Sequence, residues 1–94
     1  MRKADSENIR GSLRGIQRLY EFANGYGASV IRGLHTYGGP EGLWELAVLR
    51  SGDLCYTTPV TDDVKGYLTE DAVDALLGQI EALPNAYEPR GGVR

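Results

Sequence analysis

The dipeptide Asn24-Gly25, set between two runs that alternate apolar and polar residues, constrains this chain more than any other feature. Asn-Gly between such runs is a hairpin signal, because a two-residue type I′ turn needs positive φ at both central positions. The incoming run covers residues 15–22. Ile16, Tyr20 and Phe22 fall on one face and Gln17, Leu19 and Glu21 on the other, by the two-residue period of a strand. The return run covers residues 26–33, with β-branched Val30 and Ile31 at its centre. Residues 34–42 then form a connection too long and too rich in glycine for a tight turn.

A third strand is predicted over residues 43–50, a turn at Ser51-Gly52-Asp53, and a fourth strand over 54–58 that Pro59 ends. Residues 61–66 read as one short helical turn, with Thr61 as its cap and Gly66 as its stop. The spacing of Val73, Leu76, Leu77, Ile80 and Leu83 predicts an amphipathic helix over 69–83. Thr69 caps it, Glu70 and Asp71 suit its positive end, and Pro84 stops it. Gly78 lies mid-helix, where it costs about 1 kcal/mol against alanine, and suggests a close approach of the helix backbone to the sheet.

The fold class expected is therefore α+β: a four-stranded antiparallel meander with one C-terminal helix packed on one face. With 94 residues the chain makes one domain at most, placed at 13–84 between a polar arm (1–12) and a tail (85–94). The third strand is apolar on both sides. Trp44, Leu46 and Val48 make one face; Leu43, Ala47 and Leu49 make the other. One helix covers one face, so the second needs the arm, a second copy or another protein. Leu43 and Leu49 are expected near the centre of such a contact if Trp44 turns to the helix.

Composition removes several function classes. The net charge is −3, with ten Lys/Arg against thirteen Asp/Glu, and the cations of the first half are scattered. Nucleic acid, which calls for a concentrated basic face, is not the expected partner. One cysteine, Cys55, excludes an internal disulfide, no apolar run nears a membrane span, and no signal segment follows Met1, so cytoplasm is the expected location. His35 is the sole histidine and stands in no nucleophile motif. Asp62 and Asp63 lack a third carboxylate, and Gly25–Gly27 and Gly38–Gly42 lead into no phosphate-binding helix. No catalytic residue, metal or cofactor is expected. Tyr26 and Tyr37, beside glycine turns, are the candidates for surface recognition, with His35 in the same connection as Tyr37.

Three strings carry a resemblance: residues 21–31 (Glu-Phe-x-Asn-Gly-Tyr-Gly-Ala-Ser-Val-Ile), Tyr37-Gly38-Gly39, and residues 42–49 (Gly-Leu-Trp-Glu-Leu-Ala-Val-Leu). With residues 58–64, 66–69 and the helix that follows, they span about 20–83 and resemble a group of small bacteriophage and prophage proteins with no assigned activity. The resemblance implies a phage origin and residence in the host cytoplasm, and it transfers no catalytic residue. The function expected is that of a small phage accessory protein. It would act by non-enzymatic binding to a host or phage protein, counter-defence included, or as a homo-oligomer. The alternative is a small-ligand or nucleotide binder with a pocket at the Gly/Tyr loops.

Overall fold

The computed structural model describes residues 1–61 and 63–86; Asp62 and most of the expected tail lie outside the described residues. It contains β1 (Ser6–Arg10), β2 (Gly15–Glu21), β3 (Tyr26–Gly33), β4 (Trp44–Arg50), β5 (Asp53–Leu54), β6 (Lys65–Leu68) and α1 (Glu70–Glu81). All pairings are antiparallel. The α+β meander with one C-terminal helix stands, but the count of four strands is corrected to six. Neighbours run β1-β2-β3-β4, and β5 and β6 share the outer edge of β4. β5 pairs at Leu49 and β6 at Trp44.

The extra strands come from two misread segments. Ser6–Arg10, expected in a polar arm, pairs with β2 along its whole length, Ile9 opposite Ile16. Its side chains are all exposed, so no burial pattern marks it in the sequence. The predicted helical turn at 61–66 is also corrected. The Thr58 hydroxyl accepts the amides of Val60 and Thr61, bending the chain there, and Lys65 onward is strand. The predicted fourth strand shrinks to two residues, extended by one bond from the Cys55 amide to the Val48 carbonyl (2.9 Å).

The Asn24-Gly25 hairpin forms, with a different turn. Among its residues only Gly25 has positive φ, at 87°. The Phe22 amide donates to Tyr26 O and the Gly25 amide to Phe22 O, which encloses a three-residue loop ending in left-handed glycine. Asn24 is thereby released for another task. Its Nδ2 donates to the carbonyls of Ile80 (2.9 Å), Glu81 (3.2 Å) and Leu83 (3.0 Å), satisfying carbonyls that the end of α1 leaves open. Its Oδ1 accepts the Tyr26 amide.

The helix forms as its pattern dictates. Thr69 Oγ1 accepts the Ala72 amide, and Val73, Leu77 and Ile80 are fully buried. They meet Tyr20, Ala28, Val30, Leu46 and Val48, which the register aligns on the same side of the sheet. Gly78 points the other way: a Cβ there would meet nothing within 4 Å, so its expected role in close approach is overturned.

Residues 1–4 return to the helix side of the sheet, against Tyr20 and Phe22. Tyr20 Oη donates to Arg2 O (2.7 Å), Arg2 N donates to Asp74, and the Arg2 guanidinium pairs with Glu81 at 2.6 Å and lies over Phe22. Met1 and Ala4 pack on the core. This segment straps α1 to β2 and leaves the opposite sheet face open. Leu19, Ile31 and Leu49 are half-buried on that face. Arg10, Gln17 and Ser29 cross it as a hydrogen-bonded row. The face is thus half polar and carries less apolar surface than β4 alone suggested.

Candidate interaction surface

Two short segments meet at the end of the sheet where β3 and β6 both stop. Thr36 folds the first: its buried hydroxyl donates to Gly33 O and accepts the Gly33 amide, both at 3.0 Å. Glu45 fixes the next residue, its Oε1 accepting the Tyr37 amide at 2.9 Å. The Tyr67 amide then donates to Tyr37 O at 3.2 Å, joining β6 to this loop.

The two segments interlock through glycine. A Cβ at Gly66 would stand 2.5 Å from Tyr37 Cβ, and one at Gly38 would stand 2.8 Å from Tyr67 Cα. Each tyrosine therefore occupies the space its neighbour's glycine leaves empty. The result is an adjacent pair with rings largely in solvent, Tyr37 at 61% and Tyr67 at 60% exposure. Tyr67 also holds φ 56°, the left-handed region that bulky side chains avoid. Such a conformation costs on the order of 1–3 kcal/mol and persists only where surroundings enforce it.

The sequence candidates do not converge on one site. Tyr37 belongs to this pair, and His35 sits two residues before it, exposed, its amide on Leu13 O. Leu43 is half-buried nearby, its amide on Gly38 O. Tyr26 stands at the other end of β3, seven residues from Gly33 and so roughly 23 Å away, and is buried in the core. Leu49 is at that far end too. There it lines an open groove of about 460 Å³ with Leu19, Glu21, Gly27, Ser51 and Gly52, where Gly27 contributes no side chain. Leu43 and Leu49 consequently cannot share the centre of one small contact.

Tyr67 was not singled out by the sequence reading. The visible signal was the mirrored order Tyr37-Gly38 and Gly66-Tyr67, which marks close approach only once the two segments are known to pair. Cys55 is buried, with its sulfur 3.5 Å from Thr57 Oγ1. Among the described residues no group of three His, Cys, Asp or Glu side chains is placed to hold a metal ion, and no helix is long and apolar enough to cross a membrane. No protein-family model, curated protein or solved structure matches the chain.

Proposed function

We propose that this chain is a small non-enzymatic binding protein that docks a protein partner through Tyr37 and Tyr67. The observation that carries the reading is the exposed, strained Tyr67. Its backbone conformation is unfavourable, and a ring 60% in solvent recovers little of that within the fold. Tyrosine is enriched at protein interfaces, where a large rigid ring is buried at small entropic cost. A partner supplies the burial that the monomer lacks. The resemblance of residues 20–83 to small phage proteins supports a phage accessory protein acting on a host or phage protein in the host cytoplasm, with counter-defence among the roles this covers.

The test compares the wild-type chain with Tyr67→Gly and Tyr37→Ala, expressed with a tag in bacteria with and without phage infection, and weighs the recovered complexes by native mass spectrometry. Glycine accepts positive φ freely, so Tyr67→Gly should fold with equal or higher stability. It should also lose a stoichiometric protein partner that the wild type retains. Retention of that partner by both variants, or recovery of the wild type alone, refutes the reading. A doubled mass lost in both variants would identify the partner as a second copy. The groove beside Leu49 favours a second reading, a small-ligand site, since its volume lies in the usual range for one. A retained small molecule in the same spectra would favour it.

A further inference from the structure

The turn that binds the end of α1 also holds a reactive pair. Of the asparagines in the chain only Asn24 precedes a glycine; Asn8 precedes Ile9 and Asn85 precedes Ala86. The main-chain nitrogen that follows an asparagine is able to attack the side-chain Cγ, and glycine, with no Cβ, leaves that nitrogen uncrowded. In such an attack the bond between the Gly25 nitrogen and Asn24 Cγ forms a cyclic imide. The Cγ–Nδ2 bond breaks, and the proton of the attacking nitrogen leaves with Nδ2 as ammonia. Water then opens the imide at either carbonyl. One opening gives aspartate. The other gives isoaspartate, whose main chain runs through the former side chain and is longer by a carbon.

The folded chain blocks each part of this reaction. Attack needs the Gly25 nitrogen free, and its N–H donates to Phe22 O at 3.1 Å. Attack also needs Cγ to swing toward that nitrogen, and the side-chain amide is held at both ends. Nδ2 donates to the carbonyls of Ile80, Glu81 and Leu83, while Oδ1 accepts the Tyr26 amide at 3.0 Å. The carbonyls of the pair are fixed too, Asn24 O by the Ala86 amide at 2.7 Å and Gly25 O by the Ser51 amide at 3.1 Å. Ile80, Glu81, Leu83 and Ala86 belong to the end of α1 and the residues just after it. Release of Asn24 therefore requires that end to lift from the hairpin, and helix ends open more readily than whole domains unfold. The products do not restore the contact. Aspartate has no N–H for those carbonyls and sets a negative charge beside them. Isoaspartate lengthens a three-residue loop whose closure is the bond from the Phe22 amide to Tyr26 O.

We propose that Asn24 is a site of spontaneous deamidation, shut in the folded chain and opened when the end of α1 lifts from the hairpin, and that the product does not close again. An opening that reacts is thus irreversible. The site lies at the end of β3 away from Tyr37 and does not depend on the tyrosine reading. The intact chain is held in mildly alkaline buffer, native and in urea, and conversion at Asn24 is followed by mass spectrometry of its peptides, with isoaspartate scored by methyltransferase labelling. Conversion in urea is expected to outpace native conversion by at least about a hundredfold, as the opening equilibrium of a closed element requires. Ile80→Val keeps the main-chain carbonyl that Asn24 uses but loosens the docking of α1, and should speed native conversion by roughly two- to tenfold while leaving the urea rate unchanged. Hydrogen exchange on the native chain should show the Ala86 amide opening at least about tenfold more often than the Val30 amide in the centre of β3. Converted chain, separated by ion exchange, should lose the protection of Ala86 by a further factor of about ten or more. Native conversion as fast as in urea, or no conversion in urea, overturns the proposal. So does an Ile80→Val rate equal to wild type, or equal exchange at Ala86 and Val30, which would make release wait for global unfolding. Unchanged protection of Ala86 in the converted chain would overturn it as well.

Discussion

Removing residues 1–4 is the perturbation that most directly tests how this sheet holds its helix. Three losses can be read from the structure. The Met1 side chain, only 2% exposed, returns to water, worth about 1.5–3 kcal/mol. Tyr20, 3% exposed, loses the Arg2 carbonyl that accepts its hydroxyl, and a buried polar group left unpaired costs about 1–3 kcal/mol. The surface pair between Arg2 and Glu81 contributes roughly 0–1 kcal/mol. The sum is about 2.5–7 kcal/mol, a large share of the roughly 5–15 kcal/mol that holds an ordinary domain. Thermal unfolding followed by Trp44 fluorescence should show a midpoint lower by roughly 10 °C or more, at about 4–8 °C per kcal/mol for a chain of this size. The sequence pattern alone, read as a solvated arm, calls for no shift. A truncated chain melting within about 4 °C of wild type, less than about 1 kcal/mol, would show that the strap does not clamp the helix.

Three further outcomes follow from single residues. Gly78→Ala should stabilise the chain by about 0.5–1 kcal/mol, read as a higher urea midpoint, because its Cβ enters open space on the solvent face of α1. Asn24→Asp should be worse than Asn24→Ala in the same assay, although aspartate is nearly isosteric. A carboxylate cannot donate to the carbonyls of Ile80, Glu81 and Leu83, and it adds negative charge at the negative end of the helix. Burial pushes the Tyr20 phenol above its ordinary value of 10.0. Its contribution is therefore complete below that value and is lost as pH rises from there through the folded value, because the unfolded chain ionises first. Unfolding measured across that alkaline range should show a shallower decline for Tyr20→Phe than for wild type.

The parts of this fold legible in the sequence are those that one residue period or one cap decides. The helix stripe from Val73 to Ile80, the Thr69 cap and the core-facing sets Ile16, Tyr20, Phe22 and Trp44, Leu46, Val48 each follow from local chemistry and are found as expected. What escaped is non-local. β1 has no buried side chain, so only its partner strand defines it. The Asn24 turn takes three residues because the asparagine is needed at the end of α1, a contact across 56 positions. Gly78 and Gly66 look alike in sequence, yet one faces solvent and the other makes room for Tyr37. The candidate site was half legible: Tyr37 was singled out and Tyr67 was not, since pairing of the two segments is a tertiary fact.

The width of the elements explains why the strap and the arginines over Trp44 exist at all. A helix with its side chains is about 10 Å across, and strands lie about 4.8 Å apart, so one helix shields about two strands. α1 lies along β3 and β4 and reaches β6, and covers less of the helix side of β2. At the hairpin end that gap is filled by Met1 and Ala4 against Tyr20 and Phe22. At the other end the Trp44 ring is covered by Arg18 and Arg32. Long cationic side chains can close such a gap because their stems are apolar while their heads stay in water.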